Sequence, residues 1–470
     1  MPRDQPLLPL CLVALACCRG EPPPATDDTR VGTADTADTD DTRDTDDTGS
    51  PPVEGVTYRL HEQMESMAYI DWQQNESALV WVEYSFDEGV WLQTPPREEP
   101  PGAIQQPLLG MPYETTVQYK LLNDSGDGSA IVAQGTLETG LQPTILPNPV
   151  LLAADVSQQD PSVPYFLTST NTAALDPWWI IIIDRLGRIV WAMEGSNSHV
   201  TLQPRPSMDQ QDLVLDYNSF WRQFDDGADS RIDRIKIDGS LVLSVATPGL
   251  QHAFTELPDG HIAYGADTPN ERLVEVTPHG ELEEIWSCPD YLASIGDDPH
   301  SCSSNHLHWN ADTDSFLFSF FTLETVVEID HQSGATMRSF GHAPGSWSFD
   351  PPESEFFWQH GPHYLEDGSL LVSTRSASDG EETVVRQYSL DEENLVLHET
   401  WSFGLGEGIH SEAAGGATRL PSGNTLHHFG ATPRAREITH DGAVVWDVAW
   451  EGQNIIGYMT PLQDLYSYVP

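Results

Sequence analysis

Three histidines recur in a shared local context. His252 stands in Gln251-His252-Ala253-Phe254-Thr255-Glu256-Leu257-Pro258-Asp259-Gly260, and His360 in Gln359-His360-Gly361-Pro362-His363-Tyr364-Leu365-Glu366-Asp367-Gly368. Each leads through an Asp-Gly turn into a β-rich run, a strong hairpin signal. Between them, His306-Leu307-His308-Trp309-Asn310 passes through Asp312-Thr313-Asp314 into Phe316-Leu317-Phe318. His252, His308 and His360 fall about fifty residues apart, an interval typical of structural repeats. They are therefore expected to hold equivalent places in three consecutive units and to converge on one axis. His306 reads as a neighbour or loop residue, and His363, His427 and His428 as strand or rim histidines. Phe356, Phe357 and Trp358 read as core packing, with one able to border an aromatic ligand.

Such a set suits group transfer through a covalent intermediate. A neutral imidazole attacks near neutral pH and forms a labile bond to its electrophile. Neighbouring imidazoles can donate to the oxygens of the transferred group or protonate a departing phenolate. Transfer of an oxyanion group such as phosphoryl needs an in-line nucleophile and donors on the equatorial oxygens. Any one of His252, His308 and His360 can serve as the nucleophile while the other two donate, and Asn310 adds an uncharged donor. This chemistry calls for no cofactor or metal. No Gly-x-x-x-x-Gly-Lys loop occurs, so a nucleotide-linked donor is not indicated. Two further readings remain open: three imidazoles on one axis can bind zinc or copper, or they can hold backbone carbonyls around a tunnel.

The elements that must position these residues are β-strands. From about residue 146 an apolar strand leads six times through a polar turn into another strand. The examples are Ile180 to Trp191, Ile235 to Leu243, Leu273 to Leu282, Val326 to Ala335, Val385 to Asp391, and Arg436 to Trp446. This is the periodicity of propeller blades and predicts a six-bladed ring over residues 146–470, with a seven- or eight-bladed ring as the alternative. Residues 53–142 read as a separate β-sandwich. Residues 77–85 alternate like a half-buried strand, and residues 108–120 resemble a fibronectin type III strand pair. The fold class is therefore all-β.

The N-terminal stretch bears on location. Residues 1–18 hold a short apolar run ending in Val13-Ala14-Leu15-Ala16-Cys17-Cys18, which resembles a lipoprotein signal with Cys17 or Cys18 lipidated; an ordinary secretory signal is the alternative. Residues 19–52 form an Asp/Thr-rich acidic linker with little to bury, expected to be disordered and extended. The expected location is the cell envelope, lipid-anchored to the outer membrane or cell surface. The formal net charge of −52 extends well beyond the linker and excludes nucleic acid as a partner, since phosphate binding needs clustered Lys and Arg. Of five cysteines, three lie in the signal region. Cys288 and Cys302 remain, and in an oxidising compartment they should form a disulfide; a metal site is the weaker competitor without a CxxC pair.

Over roughly residues 55–470 the chain resembles the bacterial arylsulfate sulfotransferases. The family's first histidine motif matches His252, its His-x-Asn motif matches His308-Trp309-Asn310, and its nucleophilic histidine matches His360 in Phe357-Trp358-Gln359-His360. A last-blade pattern follows in Gly415-Gly416-Ala417-Thr418-Arg419-Leu420-Pro421-Ser422-Gly423-Asn424-Thr425-Leu426, then Asp441-Gly442-Ala443-Val444-Val445-Trp446. The resemblance implies a sandwich followed by a six-bladed propeller. It also implies transfer of a sulfuryl group from an aryl sulfate to a phenol through a sulfohistidine. The sequence departs from the family at one place. A sulfate-binding arginine is expected on the strand after His-x-Asn, where this chain has Phe320 or Phe321; Arg375, on the corresponding strand of the next unit, could supply the guanidinium. That departure and the acidic balance keep a second class open: a surface-anchored binding propeller without turnover.

Overall fold

The computed structural model describes residues 51–126, 128–172, 176–223, 225–266, 271–297, 302–378, 380, 382–453 and 455–470, with the short strand Gly32–Thr33. Residues 1–18, the expected signal with Cys17 and Cys18, and most of the expected linker 19–52 lie outside the described residues. Among the described residues no helix is long and apolar enough to cross a membrane.

The first domain is two sheets facing one core. One is Val53–Leu60, Ala68–Gln74 and Gly102–Leu108, with Gly32–Thr33 at its edge. The other orders Val90–Gln93, Ala78–Asp87, Thr116–Asp124 and Ser129–Glu138. Alternation along Ala78–Asp87 buries Val80, Val82 and Tyr84 against Trp72, Val117 and Tyr119 and leaves the intervening residues partly exposed. That period-two pattern is what a strand with one solvated face requires. The sandwich is docked on the next domain rather than tethered. Met64, Met67 and Leu109 share a core with Leu167, Ile180 and Trp191, and Arg188 grips Asp87 through two bonds of 2.7 and 2.8 Å.

Among the described residues, six sheets form the second domain, a six-bladed propeller. Blades II to VI begin at the axis with Arg205–Pro206, Leu250–Glu256, Ser304–Asn310, Phe357–Tyr364 and Gly416–Arg419, and their four main strands run outward in chain order, with Ser348–Asp350 added in parallel to the outer edge of blade V. Blade I holds Tyr165–Asn171, Trp179–Asp184 and Ile189–Glu194, and takes its innermost strands from the C-terminus, Ile455–Ile456 and Thr460–Leu462. The ring is sealed a second time by Val150–Ala154, which adds to the outer edge of blade VI. Closure of this kind removes the exposed strand edges that invite mispairing.

All six repeats legible in the sequence fall at the same place, the third strand of a blade, and five of them run on through the turn toward the fourth. Each carries a register shift at its turn end or mid-strand, as at Arg234/Ile235 and Glu437/Ile438. Gly239 takes φ +78° at such a turn, where a side chain would be strained. The expected Cys288–Cys302 disulfide is present, with Cα atoms 6.5 Å apart and a sequence separation of 14. It ties the helix Cys288–Ile295, capped by Ser287 and ended by left-handed Gly296, to the entry of blade IV's inner strand.

Candidate functional site

The inner strands of blades III, IV and V carry the histidines, but their register changes which ones correspond. His306 pairs with Ser319, and His360 with Ser373, matching positions on the second strands of blades IV and V. The counterpart of His360 is therefore His306, which corrects the expected equivalence of His308. His308 pairs with Leu317 as His363 does with Leu371, and the rings of His308 and His363 lie 5.7 Å apart, deeper along the channel. Bulges cause the change. The ladder shifts between Ser304 and His306 and on both sides of His360, adding residues that sequence spacing alone does not reveal. The second bulge, at Gly361-Pro362, lets His360 and His363 both face the channel although they are three apart. Gly361 sits at φ +63°, and a Cβ there would lie 3.3 Å from both Gly416 Cα and the Tyr458 ring.

His360 and His252 stand at one mouth of the channel in opposite tautomers. His360 Nδ1 lies 2.8 Å from the Trp358 carbonyl, which can only accept, so Nδ1 carries the proton and Nε2 the lone pair. The Trp221 indole N–H donates to His252 Nδ1 at 3.1 Å, so the proton of neutral His252 is on Nε2. Both are neutral. Burial brings His360 down to about 4, with Arg375 adding to the effect, and burial brings His252 down to about 3, helped by His360 nearby. Each ring keeps some surface toward the channel but is walled by protein on its other sides, and that enclosure disfavours the imidazolium.

Aromatic side chains and a cation frame this mouth. Trp358 holds φ +50°, which aims its carbonyl at His360, and its side chain is 37% exposed. Phe321 packs on it at 5.6 Å between ring centres, and the Arg375 guanidinium lies 4.5 Å over the indole. Arg375 donates to the Glu412 carbonyl at 3.4 Å, while its buried Nε has no partner. Arg375 is thus brought beside His360, at the place on blade V that Phe321 holds on blade IV. Phe356 is core packing as expected, whereas Trp358 borders the opening.

Deeper in the channel lie residues that sequence reasoning missed. Tyr458, from the C-terminal closing segment, stacks on His306 at 5.7 Å and meets the edge of His428 at 4.5 Å. His428 is fully buried, and both its nitrogens lack partners. Arg205, from blade II, donates to Gln203 Oε1 at 2.7 Å and the Phe254 carbonyl at 2.9 Å. Among the described residues no carboxylate comes within ion-pair range of it. Burial holds His306 well below its ordinary value and His308 near 3, and the Arg205 charge pushes both further down. Neither Tyr458 nor Arg205 belongs to a repeated motif, so no local signal marks them.

Asn310 does not join the site. Its Nδ2 donates to Thr313 Oγ1 at 2.8 Å and its Oδ1 accepts from the Asp312 N–H at 3.2 Å, so both ends of the amide hold its own turn. It lines a cavity of about 680 Å³ between blades IV and V, together with Arg338, Tyr364 and Trp401, at the opposite end of the inner strands from His360. The expected role as a donor to the transferred group is corrected accordingly. The three-histidine metal reading fares no better. Nε2 of neutral His252 carries the proton because its Nδ1 accepts from the Trp221 indole, and His308 lies at another level.

No family model matches the chain, and no curated protein does. Among solved structures, a protein of unknown function from Bacteroides caccae is 17% identical, with 64% of this chain and 100% of that one covered and a TM-score of 0.45. A putative 6-phosphogluconolactonase from Bacteroides uniformis is 10% identical, with 82% and 99% covered and a TM-score of 0.40. Virginiamycin B lyase from Staphylococcus aureus is 13% identical, with 63% and 88% covered and a TM-score of 0.34. At such scores these likenesses carry no inference about chemistry.

Proposed function

We propose that this protein moves a sulfuryl group from an aryl sulfate to a phenolic acceptor, with His360 as the nucleophile. The observation that carries the reading is the pair of opposite tautomers at one channel mouth. His360 offers a lone pair from Nε2, and His252 offers a proton from Nε2. In the first half-reaction Nε2 of His360 bonds to sulfur as the S–O bond to the phenolate breaks. Positive charge then grows on the ring, and the Nδ1–H bond to the Trp358 carbonyl strengthens with it. His252 donates to the departing phenolate oxygen or a sulfuryl oxygen, and Arg375 supplies positive charge beside them. Trp358 and Phe321 offer flat apolar surface to the aryl ring. In the second half-reaction the phenol oxygen bonds to sulfur as the Nε2–S bond breaks, the phenol's proton passes to solvent, and His360 returns to its neutral form.

Depressed basicity suits this role, because the imidazole stays unprotonated at neutral pH and the N–S bond it forms is readily broken. The protein is taken to act exported and lipid-anchored through Cys17 or Cys18. The test is release of p-nitrophenolate from p-nitrophenyl sulfate in the presence of a phenol, with mass analysis of the trapped intermediate. One sulfuryl group should appear on the peptide holding His360. Equal release by wild type and His360→Ala would sink the enzyme reading and leave that of a binding propeller.

A further inference from the structure

The channel interior holds a guanidinium without a counter-ion. Arg205, on the innermost strand of blade II, commits Nη2 to Gln203 Oε1 and the Phe254 carbonyl, and lies 4.1 Å over the Phe254 ring. Its Nε and Nη1 make no hydrogen bond among the described residues. The two carboxylates whose charge reaches it, Asp216 and Glu256, are committed elsewhere. Asp216 accepts from the Leu202 and Gln203 N–H groups at 3.0 and 2.8 Å. Glu256 accepts from Arg234 at 3.0 Å and from the Met208 N–H at 2.7 Å. Sulfuryl transfer at His360 does not use Arg205.

Two imidazoles share this interior, equally without partners. Gln203 Nε2 donates to the Asn305 carbonyl at 3.4 Å, which sets Arg205 beside the strand Ser304–Asn310 and its His306 and His308. His306 is 7% exposed, and among the described residues neither of its nitrogens bonds to protein. The same holds for the nitrogens of His308, whose ring keeps some surface toward the channel. Burial above all, with the Arg205 charge among the lesser causes, keeps both rings neutral, so each offers one N–H. Tyr458, stacked on His306 at 5.7 Å, adds a flat apolar face.

We propose that Arg205, His306 and His308 bind the carboxylate of a small aromatic acid inside the channel, with Tyr458 against its ring. A buried cation left unpaired is costly, and a carboxylate within bonding distance removes that cost. One permanent charge and two neutral N–H donors match a monoanion. A dianion such as sulfate would keep one charge uncompensated in a desolvated channel. The site uses none of the residues assigned to sulfuryl transfer and does not rest on that reading, because its test reads binding rather than turnover.

A chain of net charge −52 repels anions, so saturable uptake of one reports a local site rather than background. Full-length protein is titrated by calorimetry with benzoate, with its neutral isostere benzamide, and with sulfate. One equivalent of benzoate should bind, with benzamide and sulfate each weaker by about tenfold or more. Arg205→Gln should weaken benzoate by about thirtyfold and His308→Leu by about tenfold, whereas Arg375→Gln, at the mouth, should leave it within about threefold. Arg205 is enclosed, so if Arg205→Gln fails to fold, the partly exposed His308 decides through His308→Leu. Absence of benzoate binding, benzamide or sulfate bound as tightly as benzoate, or an unchanged isotherm in His308→Leu overturns the assignment. A loss in Arg375→Gln as large as that in Arg205→Gln places the anion at the mouth and overturns it too.

Discussion

The two ends of the channel carry histidines on the same strands but surround them differently. At the mouth, His360 donates a hydrogen bond from Nδ1 to a carbonyl while His252 Nδ1 accepts one from an indole, so the free nitrogens are a lone pair and an N–H donor. Further in, His363 donates from Nδ1 to the Gly361 carbonyl at 3.0 Å, which is the tautomer of His360, but it faces His308 rather than a fixed donor. Burial leaves the imidazoles neutral at both levels. Neutrality therefore does not distinguish a reactive histidine from its neighbours. What does so is the partner that fixes each proton, together with the open aromatic mouth.

The largest expected effect tests that contrast directly. His360→Ala should lower aryl sulfate turnover by at least about 10³-fold, whereas His363→Ala should leave it within about threefold, since only the nucleophile is irreplaceable. Nitrophenolate release measures both, and equal losses would erase the distinction between the two levels. Next comes the donor. His252→Ala should cost about 10²–10³-fold if it stabilises developing charge, and Trp221→Phe roughly tenfold by freeing the ring to adopt the other tautomer. A Trp221→Phe enzyme with full activity would show that the indole does not set the proton.

Acid should separate stability from chemistry. The unfolded histidines titrate near 6.5, while burial keeps His252 near 3 and His360 near 4 in the folded protein. Below about pH 6.5 the unfolded chain binds protons that the fold refuses, so stability falls as pH drops. His331 and His342, both raised by carboxylate partners, oppose this in part. The urea midpoint should therefore decline between pH 6.5 and 5, while initial-rate kcat/KM stays level and falls only as pH passes through about 4. A kcat/KM profile that bends near 6.5 would place the nucleophile in open water. The smallest effect belongs to Asn310→Ala: about 1 kcal/mol of stability from the lost turn bonds, and activity within about twofold. A loss of 10²-fold would return Asn310 to the site.

Much of the molecule is legible from local pattern. The outer hairpins repeat because each blade needs the same apolar strands and tight turn, so their number already counts the blades. His252 and His360 are found because both precede an Asp-Gly turn by the same interval. The alternation in residues 77–85 gives a strand of the sandwich, and Cys288 and Cys302, the two cysteines beyond residue 18, find each other.

Register and long-range contact decide the rest. A single bulge moves a side chain to the other face of a strand, and neither composition nor spacing marks it. That is why His306 rather than His308 matches His360, and why Asn310 ends in a turn at the far side. Arg205 and Tyr458 reach the channel from blades II and I, and His331 reaches Glu275 across a blade boundary. The sequence by itself determined the repeat, its hairpins and two of the histidines, because those signals lie within one strand and its turn. Only closure of the ring decided which side chains meet, because meeting depends on how six sheets stack around one axis.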